Sequence, residues 1–226
     1  YARNTKFYRN TISGCNNAVS LAPIYGGPVF ILYNQLRGYD YWGLTGGAFK
    51  LGTGDLGTSC GQALIANNTC FGDSLATAAY SIFDVGAFSH KHFLNNIFQS
   101  SGYCIYIGSA SYVAGSTMDY NLYWRVGDVE ALAYIDGANY FIEDLAALDL
   151  EAHGLRAAPA WADTGTTLRA RSSVNRGTQI PGISGKIIPL VGAPDIGATE
   201  YNPPSVAASR RRQWLGVWLG LLKRAF

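Results

Sequence analysis

The stretch Phe93-Leu94-Asn95-Asn96-Ile97-Phe98 sets one apolar residue three places before Asn96 and another two places after it. The same arrangement returns at Phe7–Asn10–Ile12, Ile31–Asn34–Leu36, Ile65–Asn68–Cys70 and Met118–Asn121–Tyr123. Recurrence at a period of about 20 to 50 residues marks a repeat architecture, in which each unit buries its apolar side against its neighbours. Successive asparagines stand 24, 34, 28 and 25 residues apart. That spacing is too irregular for fixed-length helical repeats and natural for coils whose loops vary while their strands keep register.

Each unit carries a second short apolar run, at Ala18 to Pro23, Ala48 to Gly54, Ser81 to Phe88 and Cys104 to Ala110, bounded by Gly, Asn and Ser as strands are. No useful helical periodicity precedes about residue 140. Strands stacked coil on coil make an all-β chain, a parallel β-helix. The repeating Asn10, Asn34, Asn68, Asn96 and Asn121 then have a structural role: an Asn at a turn tolerates left-handed backbone geometry, and stacked amides satisfy buried backbone groups.

At this point the chain resembles the secreted bacterial right-handed parallel β-helix proteins, a group that includes polysaccharide lyases and epimerases. The resemblance rests on Ala66-Asn67-Asn68-Thr69, Leu94-Asn95-Asn96-Ile97-Phe98 and Asp119-Tyr120-Asn121-Leu122-Tyr123-Trp124. It extends to Ser172-Ser173-Val174-Asn175-Arg176-Gly177 and Pro194-Asp195-Ile196-Gly197-Ala198-Thr199-Glu200-Tyr201, which look like the closing segment of such proteins. The group's ending often has Pro where Ser173 stands and Tyr where Thr199 stands. The resemblance implies a secreted or cell-surface protein that meets polysaccharide, over roughly residues 5 to 202.

Three segments follow: coils over 1–137, a short helix and closing segment over 138–202, and a linker with a basic and apolar tail over 203–226. Phe141, Leu145 and Leu148 are spaced as one helical face, with Gly154 as the stop and the stretch to Tyr201 covering the open edge. In the tail, Arg210 to Arg224 brackets an apolar run of nine residues with basic ends. That is far short of the ~20 residues that span a bilayer, and compatible with contact at a membrane interface over 210–224. The first residues already read as mid-repeat, so earlier coils are expected upstream.

Charged residues are only 14% of the chain, against about 25% in ordinary globular proteins, while Gly counts 27 and Tyr 15 of 226 residues. A polar-neutral, aromatic surface suits sugars. The net charge of +2 comes with no basic stripe in the repeats, which argues against nucleic acid. Cys15, Cys60, Cys70 and Cys104 lack CxxC spacing; Cys70 reads as core, and a disulfide through Cys60 is open. A monomer is expected.

If Val19 and Leu21, Phe49 and Leu51, Phe83 and Val85, and Ile105 and Ile107 face inward, then Ser20, Lys50, Asp84 and Tyr106 form one outward column. Lys50 would neutralise or deprotonate a uronate, Tyr106 would protonate the leaving oxygen, and Asp84 would position Lys50 or bind Ca²⁺; no other cofactor is expected. The chemistry is β-elimination on an acidic polysaccharide. The alternatives are a cross-strand surface pair without chemistry, and a carbohydrate-binding or adhesive β-helix that does not cut. Hydrolysis would need a second carboxylate, and Asp55 and Asp73 are the candidates from adjoining loops.

Further substrate contacts are expected from the aromatic loop with Tyr39, Tyr41 and Trp42, and from His90 and His92. The Ser89-His90-Lys91-His92 segment reads as a polar turn, and its His-x-His pair has no evident third metal ligand.

Overall fold

The computed structural model describes residues 4–21, 27–39, 46–52, 60–72, 80–84, 86, 88–127, 129–163, 169–170, 176–180 and 195–199. Among the described residues five coils of three short strands follow one another. The first has β1 (Thr5–Tyr8), β2 (Thr11–Cys15) and β3 (Asn17–Leu21); the second has β4 (Val29–Leu32), β5 (Gln35–Tyr39) and β6 (Gly47–Leu51). The third has β7 (Cys60–Ala66), β8 (Thr69–Phe71) and β9 (Tyr80–Asp84), and the fourth β10 (Phe88–Leu94), β11 (Ile97–Ser100) and β12 (Ile105–Ile107). The fifth has β13 (Ser116–Asp119), β14 (Leu122–Arg125) and β15 (Ala133–Ile135).

Each strand pairs in parallel with its counterpart one coil on. The first sheet runs β1-β4-β7-β10-β13, the second begins at β2 and the third at β3. This is a parallel β-helix. Its core draws on all three sheets: the rings of Phe49, Phe93 and Phe98 meet edge to face, each pair 6.4 Å apart.

The asparagine repeat is a hydrogen-bonded ladder that ties both halves of the sequence motif together. Along its length the backbone N and Nδ2 of each Asn donate to Oδ1 of the Asn one coil on, from Asn10 to Asn34, Asn68, Asn96 and Asn121, at 2.8–3.0 Å. Nδ2 also donates to the carbonyl of the apolar residue three places before the previous Asn: Asn34 to Phe7, Asn68 to Ile31, Asn96 to Ile65 and Asn121 to Phe93. Left-handed geometry falls one residue earlier than expected, at Arg9, Tyr33, Asn67, Asn95 and Tyr120 with φ between 54° and 57°. The turn therefore needs the ladder Asn for its amide, and the residue before it takes the backbone strain.

The last coil is closed by a hairpin, a helix and a short addition to the second sheet. β16 (Ala138–Tyr140) folds back antiparallel on β15, α1 (Ile142–Ala147) follows, and β17 (Leu155–Arg156) adds to β14. Leu145 and Leu150 enter the main core. The expected apolar face is only partly realised: Leu145 is buried, but Phe141 is 42% and Leu148 38% exposed, because the helix has a single full turn between them. Gly154 does not stop the helix. It lies where a Cβ would meet Glu151 Oε2 at 2.6 Å, so its role is to let the backbone pass close to that carboxylate.

The hairpin β18 (Trp161–Asp163) and β19 (Arg169–Ala170) comes next. The described parts of the closing segment lie along the flank of the solenoid. Thr178 N donates to Asn95 Oδ1 at 2.8 Å, and Ile180 packs with Leu32, Tyr33 and Ala66 outside the first sheet. Asn67 Nδ2 donates to Asp195 O, Gly197 N to Asn95 O, and Ala198 N to Thr69 Oγ1. Gly197 has φ +106°, and a Cβ there would sit 2.7 Å from Ile97 Cδ1, which explains why glycine stands at this position. The tail over 203–226 lies outside the described residues. Among the described residues no helix is long and apolar enough to cross a membrane.

Candidate functional site

Parallel register on the third sheet sets the outward row. Ser20 pairs with Lys50, Lys50 with Phe83, Phe83 with Tyr106 and Tyr106 with Tyr134. Ser20 is exposed and the other four are half-buried, while Leu51, Asp84, Ile107 and Ile135 in the next row are buried. Lys50 and Tyr106 thus stand where the sequence placed them. Asp84 does not.

The correction follows from a one-residue slip. Because side chains alternate across a strand, the slip puts Phe83 outside and Asp84 inside. Asp84 is 1% exposed and paired with Lys91, so it can neither position Lys50 nor offer a surface Ca²⁺ ligand. Ser89-His90-Lys91-His92 is correspondingly strand and not turn: it lies within β10, where Lys91 is buried on the inward side with Phe93, while His90, exposed, and His92, half-buried, share the outward side. His92 is pulled below the usual histidine range by burial and by His90 beside it. Both histidines belong to the first sheet, a different face from the row.

Tyr39 is a core residue, 1% exposed, whose hydroxyl donates to Gln99 O at 2.5 Å and meets Ser81 Oγ at 3.1 Å. Burial pushes its phenol well above the usual range. Tyr41, Trp42, Asp55 and Asp73 lie outside the described residues. Cys70 and Cys104 are buried free thiols; Cys15 is half-buried and also free. Among the described residues no three His, Cys, Asp or Glu side chains converge as a metal site.

What the row does contain is a continuous aromatic surface. Tyr106 lies 5.2 Å from Phe83 and 5.5 Å from Tyr134, centroid to centroid. Tyr80 stacks on Phe83 at 5.5 Å and reaches Tyr106 at 5.0 Å; Tyr103 flanks Tyr134 at 5.4 Å. Arg125 sets its guanidinium 4.3 Å above the Tyr103 ring and donates to Ala131 O, while the Tyr103 hydroxyl donates to Asn139 Oδ1. A cation therefore stands near each end of the rings, Lys50 in the second coil and Arg125 in the fifth. Each ring pair stabilises the sheet by about 0.5–1.5 kcal/mol beyond its buried area.

A sequence signal for these rings exists. Aligning Gly47-Ala48-Phe49-Lys50-Leu51, Tyr80-Ser81-Ile82-Phe83-Asp84, Tyr103-Cys104-Ile105-Tyr106-Ile107 and Ala131-Leu132-Ala133-Tyr134-Ile135 puts Lys50, Phe83, Tyr106 and Tyr134 in one column. The same alignment drops Asp84 into an apolar slot.

No protein-family model matches this chain, and no curated protein or solved structure matches it either.

Proposed function

We propose that this β-helix binds an extended acidic polysaccharide along the outward row of its third sheet, outside the cell or at its surface, as a monomer and without cutting the chain. The observation that carries this reading is the unbroken run of half-exposed rings with a cation near each end. Strands stack about 4.8 Å apart, close to the length one pyranose adds to an extended glycan, so successive coils can meet successive sugars. Rings offer sugars an apolar surface and tyrosine hydroxyls offer hydrogen bonds. Lys50 and Arg125 would meet carboxylates. Nucleic acid is not part of this reading, because the row carries isolated cations and no basic stripe.

Elimination is the second reading, favoured by Lys50 and Tyr106 sharing one row. They are two coils apart, about 10 Å by strand spacing, and the carboxylate that would have joined them points into the core. Base and acid in an elimination act on adjacent atoms of one sugar, so binding fits the geometry better. Incubation with alginate, pectate and chondroitin, with and without Ca²⁺, tests the choice through the ultraviolet absorbance of an unsaturated uronate. No rise is expected with any polymer. A rise abolished in Lys50→Ala or Tyr106→Phe would establish elimination and overturn the non-catalytic reading.

A further inference from the structure

Two ionisable side chains face each other inside the solenoid, where the third coil passes into the fourth. Asp84 is the last residue of β9, and Lys91 lies in the middle of β10. Both side chains are 1% exposed, and Lys91 Nζ is in direct contact with Asp84 Oδ2. Their neighbours in register are apolar or small: Leu51 and Ile107 flank Asp84, and Ala63 and Ser116 flank Lys91. Among the described residues the other carboxylate oxygen has one long contact, from Gly86 N at 3.4 Å. A buried ion pair this thinly supported carries a large desolvation cost. Burial pushes the Asp84 carboxyl up, and Lys91 pulls it only part of the way back.

An amine and a carboxylic acid fixed in contact in a dry site have a second outcome besides an ion pair. We propose that Lys91 and Asp84 condense to an intramolecular isopeptide bond that ties the third coil to the fourth. The Nζ proton in the hydrogen bond passes to Oδ2, leaving neutral amine and neutral acid. The nitrogen lone pair attacks Cγ, the Nζ–Cγ bond forms and the Cγ–Oδ2 bond breaks. Oδ2 departs as water, with the proton it gained and a second one from nitrogen. No oxidation state changes, and no co-reactant is needed. Fixed contact replaces a bimolecular encounter, an advantage that reaches about 10⁵–10⁸ M in well-aligned intramolecular reactions. Exclusion of water disfavours the reverse hydrolysis. The link would close a span of seven residues across the corner of the coil.

The mass of the purified full chain, denatured after prolonged incubation in the folded state, tests this directly. The expected mass falls short of the sequence by one water, and a protease digest yields one branched peptide joining Lys91 to Asp84. Lys91→Arg should restore the full sequence mass, and Asp84→Asn should lose ammonia in place of water. A wild-type chain at full sequence mass overturns the proposal, and so does a water loss that maps elsewhere while the Lys91 and Asp84 peptides remain separate. The wild-type result decides even where a variant fails to fold.

Discussion

Asn68→Ala is expected to lower the unfolding free energy by about 4 kcal/mol. Asn68 sits mid-ladder and fully buried; its Oδ1 accepts from Asn34 N and Nδ2, and its Nδ2 donates to Ile31 O, Ala66 O and Asn96 Oδ1. Alanine leaves two donors on Asn34 without that acceptor and removes the donor to Ile31 O. A buried polar group stripped of its partner costs about 1–3 kcal/mol, and several are stripped at once. Asn68→Asp should cost as much, since it keeps the shape and the acceptor but loses the donor and buries a charge. Asn10→Ala, at the half-exposed end, should cost no more than about 1 kcal/mol, because water replaces what is lost. Urea unfolding of the three variants reads these differences. Equal losses at Asn10 and Asn68 would mean the ladder is not what holds the coils together.

One residue at the end of that ladder is expected to withdraw about 3 kcal/mol of stability as pH rises from 4.5 to above 7. Glu151 terminates it: Oε1 accepts from Asn121 Nδ2 and from the Tyr123 hydroxyl, each at 2.6 Å, and Oε2 from Asn121 N at 3.4 Å. Burial pushes its carboxyl from 4.5 up to about 7, against the pull of those three donors. The folded chain therefore holds a proton that the unfolded chain releases above about 4.5. Stability is fully present below that pH and is lost as pH climbs through about 7, after which the loss levels off. Glu151→Gln cannot titrate, so the difference in unfolding free energy between wild type and this variant should carry the whole change. A difference that stays flat from pH 4.5 to 8 would show that burial does not raise the Glu151 carboxyl.

How much of this was legible in the sequence depends on what each residue answers to. The ladder was legible because an interior amide stack needs one residue type, and Asn10, Asn34, Asn68, Asn96 and Asn121 therefore recur without substitution. The strand after each ladder step was legible, but its register was not. Loops of different length separate Asn34 from Lys50 and Asn68 from Phe83, so counting from the Asn cannot fix which residue faces out, and one step exchanged Phe83 for Asp84. Burying Asp84 also breaks the expectation that an acid marks the surface, and only its contact with Lys91 across the corner makes the burial intelligible. Tyr39 misled in the same way: its ring fills the core and its hydroxyl is satisfied inside, by Gln99 O and Ser81. Glu151 was invisible because nothing local marks a residue that meets Asn121 and Tyr123 from 30 and 28 positions away.

Titration calorimetry of the full chain with an oligouronate, beside a neutral oligosaccharide of equal length, tests the binding account most directly. The account predicts a preference for the acidic chain, an affinity about tenfold weaker in Tyr106→Ala, equivalent to about 1.4 kcal/mol, and no change in His92→Ala on the first sheet. An oligouronate that fails to bind, or binds Tyr106→Ala as tightly as wild type, would contradict it.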